Sequence, residues 1–414
     1  MISRSVLAVV LAGGQGKRLL PLTMGRAKPN IPFGGMFRLI DFVLSNLTNA
    51  GYLKIVVLTQ YQSRGLDRYL ARGWQLSSRA GHYIAPIPAQ QQWFSGSADA
   101  LFKNLQLMRE ELPDHVLVFG ADHVYRMDPA QMLAQHVESG ADVTVAAIRQ
   151  PRSQAHHFGV IECGAGGRRI TRFVEKPSEA AGLPEAPHEV RASMGNYVFR
   201  TQTLIDAVEQ DARDAASRHD IGADLIPMIV RDGRAEVYDF ARNQVPGVSA
   251  FERGYWRDVG TLDAYYEAHM DLLGPDPAFT LHNAHWPIRT FHDELAPVSF
   301  GRGLPCRTVD SLLSPGVAVA ADVDITRSVL SPQVTLGERA QVADSILMEN
   351  VRVGCDAIVR RAIVDRDATI PEGARIGVDP DLDRELHTVT DDGIVIVTGR
   401  SVSRCTEPVR AFLV

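Results

Sequence analysis

The hydrophobic pattern divides the chain into two regimes. In the first, short apolar runs alternate with segments whose apolar residues recur every three or four positions. Val6–Ala12 reads VLAVVLA, a small apolar run that predicts a strand buried on both faces of a parallel sheet. Residues 53–59, 116–119 and 143–148 predict further strands. Residues 38–49 set Leu39, Phe42, Val43 and Leu47 at helical spacing and stop at Gly51, a residue suited to ending a helix. Another helix starts at 60–63, and one more spans 129–138. Residues 158–162 and 170–174 flank Gly164-Ala165-Gly166-Gly167 and predict a hairpin. A short amphipathic helix over 224–231 is closed by Gly233. A helical piece over 262–273 ends this regime, and Gly274-Pro275-Asp276-Pro277 breaks the chain. The rhythm is that of an α/β fold, a mostly parallel sheet wrapped by helices.

From residue 311 the period changes to 17. Val317, Val334, Val351 and Ala368 are spaced so, as are Val323, Ala340, Ala357 and Ala374, and Val329, Ile346 and Ile363. Val319, Leu336, Val353 and Ile370 add a fourth apolar series two residues after the first. Steps of six, six and five give three short sides per coil, the signature of a hexapeptide-repeat parallel β-helix. The expected division is 1–274 for the α/β domain, 275–310 for a linker and 311–414 for the β-helix. Hexapeptide acyltransferases share this repeat, but they carry a His at a coil edge, and none lies between His292 and His387. Such a prism is expected to pack sideways into oligomers, with Leu347 and Met348 on its outside.

Composition narrows the function classes. A chain of 414 residues with 45% hydrophobic and 22% charged residues has room for two cores. Its net charge of −6 argues against nucleic acid as a main partner. No apolar run approaches the roughly 18 residues of a membrane span. Cys163, Cys306, Cys355 and Cys405 are far apart with no C-x-x-C pair, so a cytoplasmic protein with free thiols is expected.

The candidate chemistry follows the first strand. Val6–Ala12 breaks into Gly13-Gly14-Gln15-Gly16-Lys17-Arg18, with Arg26 and Lys28 close behind. Glycines there leave backbone N–H groups free to face a ligand, and the cations suit phosphate. Neither a Walker A loop nor the Rossmann dinucleotide pattern fits the spacing. Taken alone, the loop also fits a glycine turn with solvated cations. Residues 116–123 run from a buried strand to an exposed acid, Asp122, a placement that suits a hard cation and equally a helix cap. His123 is expected to pack beside it, since Mg²⁺ prefers oxygen. Lys176, after a strand and stiffened by Pro177, suits a point-charge contact to phosphate.

The wording of these stretches is more specific than their composition. Leu11-Ala12-Gly13-Gly14, Arg18-Leu19, Pro21-Leu22-Thr23 and Arg26-Ala27-Lys28-Pro29 resemble the signature of sugar-nucleotide pyrophosphorylases. Phe33-Gly34-Gly35 and Arg38-Leu39-Ile40-Asp41-Phe42-Val43-Leu44-Ser45-Asn46 narrow the likeness to the bacterial ADP-glucose pyrophosphorylase family, the glucose-1-phosphate adenylyltransferases. The resemblance implies a Rossmann-like, mixed and mostly parallel nucleotidyltransferase sheet followed by a left-handed β-helix. It also implies ATP and α-D-glucose 1-phosphate as substrates, Mg²⁺ as cofactor, and a homotetramer regulated by small anionic metabolites.

Residue by residue, the resemblance implies roles. Leu11, Ala12, Gly13, Gly14, Gln90 and Gly96 would hold the nucleotide. Arg18 and Lys28 would steady the leaving pyrophosphate, and Asp122 and Asp258 the metal. Phe94, Gly159, Glu175, Lys176, Ser193, Tyr197, Asp220 and Trp256 would surround glucose 1-phosphate, with Trp256 stacking on the sugar. Arg26, Arg38 and Arg366 would bind the effector. Phe94 stands where the family usually has Tyr, and Gly25 and Pro32 replace residues that are basic or titratable in some relatives. Two rivals remain: a pyrophosphorylase for another sugar nucleotide, such as UDP-glucose or GDP-mannose, and a non-catalytic regulatory subunit.

Overall fold

The computed structural model describes residues 5–90, 92–303 and 305–399. Its contacts separate two compact units. The first comprises the chain up to Gly14, Phe42–Trp256 and Asn283–Ile288; the second comprises Gln15–Asp41, Arg257–His282 and the chain from Arg289.

The first unit is built on a nine-stranded sheet. Its strands are β1 (Val6–Ala12), β2 (Lys54–Thr59), β3 (Tyr83–Pro88), β4 (His115–Gly120), β5 (Val143–Pro151), β6 (Gly159–Cys163), β7 (Ile170–Glu175), β8 (Glu189–Arg200) and β9 (Ala235–Asp239). β3, β2, β1 and β4 run parallel in that spatial order. β8 then joins β4 antiparallel and pairs with β5 and β6, β9 lies parallel beside β5, and β6–β7 form the expected hairpin. The apolar runs are central because both faces are covered: Val116, Leu117, Val118 and Phe119 are fully buried. Each such side chain is worth roughly 1.5–3 kcal/mol of burial.

The helices sit close to their expected bounds. Leu39–Asn49 ends before Gly51, which takes the left-handed φ of +84°. Pro129–Ser139 is capped by the Asp128 carboxylate, which accepts from the Ala130 N–H, and ends at Gly140. The helix expected at 224–231 differs: a π turn over Ile221–Leu225 leads into Ile226–Asp232, with the Asp220 side chain capping the turn.

The second unit contains the parallel β-helix, three sheets whose rows pair in register. Val317, Val334, Val351 and Ala368 are wholly buried, as are Ala340, Ala357 and Ile363. Three corner columns at the 17-residue step carry positive φ: Asp310, Arg327, Asp344, Arg361; Gly316, Gln333, Asn350, Asp367; and Asp322, Arg339, Asp356, Gly373. Their side chains ladder along the axis, Arg327 to Asp344 and Arg339 to Asp356 among them. Inside, Ser328 and Ser345 each accept a backbone N–H from the next coil.

Two expectations change here. The first coil begins inside the stretch taken as linker, because Ser299–Phe300 and Arg307–Val309 already pair with the next rows. Phe300 opposes Val319, 19 residues on, so the phase slips and a 17-residue count misses it. Leu347 and Met348, expected outside, are fully buried. Leu347 takes the inward position of its row, and Met348 lies against the Arg26 guanidinium.

In this unit Gln15–Asp41 folds against Arg257–His282. The Tyr265 hydroxyl donates to the Pro32 carbonyl at 2.5 Å, and the Gly34 N–H donates to Nε2 of buried His269. Gly34 has φ +57°, and a Cβ there would meet Leu281 at 2.7 Å, so the turn needs glycine for both reasons. Cys163, Cys306 and Cys355 are free thiols, and Cys405 lies outside the described residues.

Candidate active site

The sheet order of the first unit reverses about β1, and a cavity of about 460 Å³ opens at the carboxyl ends of β1, β2 and β4. This is where open α/β sheets bind ligands. Its lining brings together Leu11, Gly13, Gly14, Phe94, Gly96, Asp122, Glu175, Lys176, Tyr197 and Asp220 from the expected set. A larger, more open hollow of about 1060 Å³ beside Arg152 and His188 contains none of them.

Asp122 sits just past β4, with its carboxylate partly exposed and Oδ1 3.5 Å from Nε2 of His123. Gly120 makes that crowding possible: a Cβ there would approach both side chains at 3.1–3.2 Å. The His123 ring packs on Trp256, centroids 4.9 Å apart, and Phe158 meets the same indole edge-on at 5.6 Å. Trp256 is buried and does not line the cavity, so it backs His123 instead of presenting an open face to a sugar.

Glu175 ends β7 and Lys176 follows it. Lys176 has φ +48°, and its Nζ lies 2.8 Å from Glu175 Oε1. The other carboxylate oxygen fits only because two glycines make room. A Cβ at Gly159 would stand 2.9 Å from Oε2 and 2.4 Å from the Phe173 ring, and one at Gly222 would stand 2.6 Å from Oε2. Asp220 accepts from Ser97 Oγ at 2.9 Å and from the Ala223 N–H at 2.9 Å. In β8 the register slips between Ser193 and Tyr197, and Gly195 takes φ +70° there. Ser193 Oγ accepts from the Gly195 N–H, and burial pushes the Tyr197 hydroxyl pKa up, which keeps it a neutral donor.

Other expected residues sit apart from the cavity lining. Ala12 is buried in the strand. Gln90 is exposed beside a second hollow with Ile87, Phe94 and Lys103. Its neighbour Gln91 lies outside the described residues. Gln60, Ser97, Gly195 and Gly222 line the cavity without having been singled out. Gly195 interrupts β8, and a glycine inside a strand marks a bulge, but no strand is predicted over 189–200 from the sequence. Gln60 clasps the Phe94 backbone, accepting from its N–H at 2.6 Å, a contact across 34 residues that no local pattern reports.

In the second unit, Gly16 turns the chain at φ +60°, so tightly that a Cβ would strike Thr23 at 2.9 Å and Lys28 at 3.1 Å. Buried Lys28 reaches Asp258, Nζ to Oδ1 3.5 Å. Arg18 and Asp258 both crowd Gly260, whose added Cβ would lie 2.9 Å from Arg18 Nη2 and 3.0 Å from Asp258 Oδ2. Two cations therefore gather about one carboxylate. Arg26 is buried and donates to Asp365 at 2.5 Å. Arg38 donates to the Asn30 carbonyl at 3.0 Å and faces Glu349 at 3.5 Å. Arg366 is half-exposed, 4.0 Å from Asp367. The three arginines meet acids of the prism, not an open basic patch. The carboxylates of Asp122 and Asp258 are hard oxygen donors of the kind that suits a divalent cation.

A phosphate-suited glycine loop at the end of a central parallel strand, an acid at the end of the next and a hexapeptide prism define a nucleotidyltransferase class of protein. Residues 7–274 match the family described as nucleotidyl transferase, and residues 298–397 match the GlmU-like, C-terminal hexapeptide family. A glucose-1-phosphate adenylyltransferase of Acidothermus cellulolyticus is 56% identical over 96% of this chain and 98% of its own length. Proteins of the same name from Frankia casuarinae and Mycolicibacterium smegmatis are 53% and 52% identical, covering 97% and 95% of this chain and 99% and 97% of their own lengths. The chain belongs to the glucose-1-phosphate adenylyltransferase family. No helix among the described residues is long and apolar enough to cross a membrane.

Proposed function

We propose that the chain joins ATP and α-D-glucose 1-phosphate into ADP-glucose and pyrophosphate, the step that commits glucose to α-glucan (glycogen) synthesis. The observation that carries this reading is the cavity itself, where Gly13–Gly14, Asp122 and the Glu175–Lys176 pair share one lining at the strand ends. A phosphate oxygen of the sugar phosphate attacks the α-phosphorus of ATP, the bond from that phosphorus to the bridging oxygen breaks, and pyrophosphate leaves. The attacking group arrives already ionised, so the protein supplies position and charge, with no nucleophile of its own.

In this reading the backbone of Leu11, Ala12, Gly13 and Gly14, with Gln90 and Gly96, holds the nucleotide. Lys176 grips the sugar phosphate as a point charge. Gly159, Glu175, Ser193, Tyr197 and Asp220 enclose the sugar, while Phe94 contributes an apolar edge and Trp256 support from behind. Arg18 and Lys28 steady the departing pyrophosphate. Asp122 and Asp258 would hold Mg²⁺, whose charge would offset that of the triphosphate. We also propose a homotetramer in which small anionic metabolites act through Arg26, Arg38 and Arg366. An effector would have to compete with Asp365 and Glu349 for the first two. Arg366→Ala should then leave unstimulated turnover intact and blunt the response to metabolites, and loss of basal turnover would overturn that role.

The deciding experiment is a nucleotide panel on the purified chain, following pyrophosphate release with glucose 1-phosphate present. Preference for ATP supports the proposal. Preference for UTP, or for GTP with mannose 1-phosphate, would move the chain to another pyrophosphorylase. Release from none would make it a regulatory subunit.

A further inference from the structure

Asp211, Ser217 and His219 form a closed hydrogen-bonded ring beside the cavity. Ser217 Oγ donates to Asp211 Oδ1 at 2.6 Å, the His219 N–H donates to Ser217 Oγ at 2.8 Å, and His219 Nδ1 lies 2.8 Å from Asp211 Oδ2. Asp211 is 3% exposed. The residue types are those of a hydrolytic triad, but the connectivity is not: the serine hydroxyl is spent on the aspartate and does not face the imidazole.

The ring fixes an unusual backbone. His219 has φ +56°, a left-handed conformation that disfavours side chains with a Cβ. That twist turns its carbonyl onto the opposite rim of the cavity. The carbonyl accepts the Ala98 N–H at 2.8 Å, inside the first turn of the helix Ser97–Phe102. It also lies so near Gly96 that a Cβ there would stand 2.1 Å from it. The next residue, Asp220, accepts from Ser97 Oγ, which in turn accepts from the Ile221 N–H at 2.8 Å. Gly222 then closes on Glu175. One residue thus joins the Gly96–Ser97 rim to the Asp220–Gly222 rim, and all five of these residues line the cavity while the His219 ring points back to Asp211.

We propose that His219 is a positioning residue that holds the nucleotide rim and the sugar rim in register, an assignment that rests on the reaction proposed above. It acts through its strained carbonyl and never touches the reacting phosphates. Its loss should therefore weaken capture of both substrates together, whereas a contact to one substrate would weaken capture of that substrate alone.

The test is steady-state kinetics of the full-length His219→Ala, His219→Gly and His219→Asn chains, with thermal unfolding as the check on folding. His219→Ala should raise KM for ATP and for glucose 1-phosphate roughly tenfold each, with kcat within about threefold of the unaltered chain. Asn tolerates left-handed backbone and can donate its amide to Asp211, so His219→Asn should bring both KM values back to within about threefold. His219→Gly lacks the ring that ties this turn to Asp211, so it should raise both KM values as well, and it carries the test if His219→Ala fails to fold. Unchanged KM values in the Ala and Gly chains, a rise for one substrate only, or a fall confined to kcat would overturn the assignment and leave the reaction standing. No turnover of ATP and glucose 1-phosphate by the unaltered chain would overturn the reaction and the assignment with it.

Discussion

In the α/β unit, the candidate site collects where regular structure stops, whereas in the prism regular structure hardly stops at all. Glycines of the first unit each solve a different local problem: Gly120 admits Asp122 and His123, Gly159 and Gly222 admit Glu175, and Gly96 admits a carbonyl. Turns of the prism solve one problem repeatedly, with Asp310, Arg327, Asp344 and Arg361 holding nearly the same φ at one corner. The contrast teaches that an aperiodic scaffold can bring unlike groups to one cavity, while a periodic one spreads like groups along an axis. The first arrangement suits chemistry and the second suits stacking.

The sharpest way to break this contrast is to remove charge from the cavity. Asp122→Asn should lower turnover by about a thousandfold or more while the far-UV spectrum and melting stay normal, since metal-held charge is worth several kcal/mol of barrier. Near-normal turnover at saturating Mg²⁺ would place the metal elsewhere. Next in size is the buried Arg126–Glu252 pair of the same unit, whose guanidinium also donates to the Trp286 carbonyl. Burial pulls the Arg126 pKa down to about 10. Glu252→Gln removes the carboxylate charge that faces that buried cation and should cost about 3–5 kcal/mol in chemical denaturation. A loss under 1 kcal/mol would mean the pair is solvated.

For the prism the matching change is Leu336→Ala, at an inward position 3% exposed. It should destabilise by about 2–4 kcal/mol through the cavity it leaves, with turnover per folded molecule kept. Loss of turnover in the folded fraction would erase the distinction between the two regions.

A smaller effect comes from His269. Burial lowers its pKa from 6.5 to about 4, so it stays neutral, with the Nδ1–H donating to the Tyr265 carbonyl and Nε2 accepting from Gly34. The unfolded chain binds the proton more tightly, so this contribution is complete above pH 6.5 and is lost as pH falls towards 4. Stability should drop by about 2 kcal/mol by pH 5 on this account. His269→Gln should flatten that slope, and an unchanged slope would assign the acid loss to other groups. The smallest effect is expected at the exposed corner ladder: Asp356→Asn breaks the pair with Arg339 and should leave Tm unmoved, because solvent screens it.

Much of the architecture was legible along the chain because its signals are local. Burial on both faces writes continuous apolar runs, as in Val6–Ala12, and stacking writes a 17-residue period into Val317, Val334 and Val351. Asp122, Glu175 and Lys176 were legible because strand ends are where an open sheet exposes polar groups. The family resemblance carried Ser193, Tyr197 and Asp220, which no period marks. Gln60 and Ser97 escaped because their partners lie 34 and 123 residues away, at Phe94 and Asp220.

What the sequence determined by itself, then, was periodicity: the strands β1, β2, β4 and β5 and the β6–β7 hairpin, the 17-residue rhythm of the prism, and which acids and cations stand beside glycines. Tertiary structure alone decided the partnerships. It drew Gln15–Asp41 out of the α/β region and into the unit that holds the prism, set Arg26 against Asp365 across 339 positions, and turned Trp256 to His123. It also turned Leu347 into the prism core and buried Met348 against Arg26. The physical reason is range. Side-chain burial repeats with the local backbone period, but an ion pair or a carbonyl pressed against a glycine depends on where the folded chain returns, and no local period encodes that.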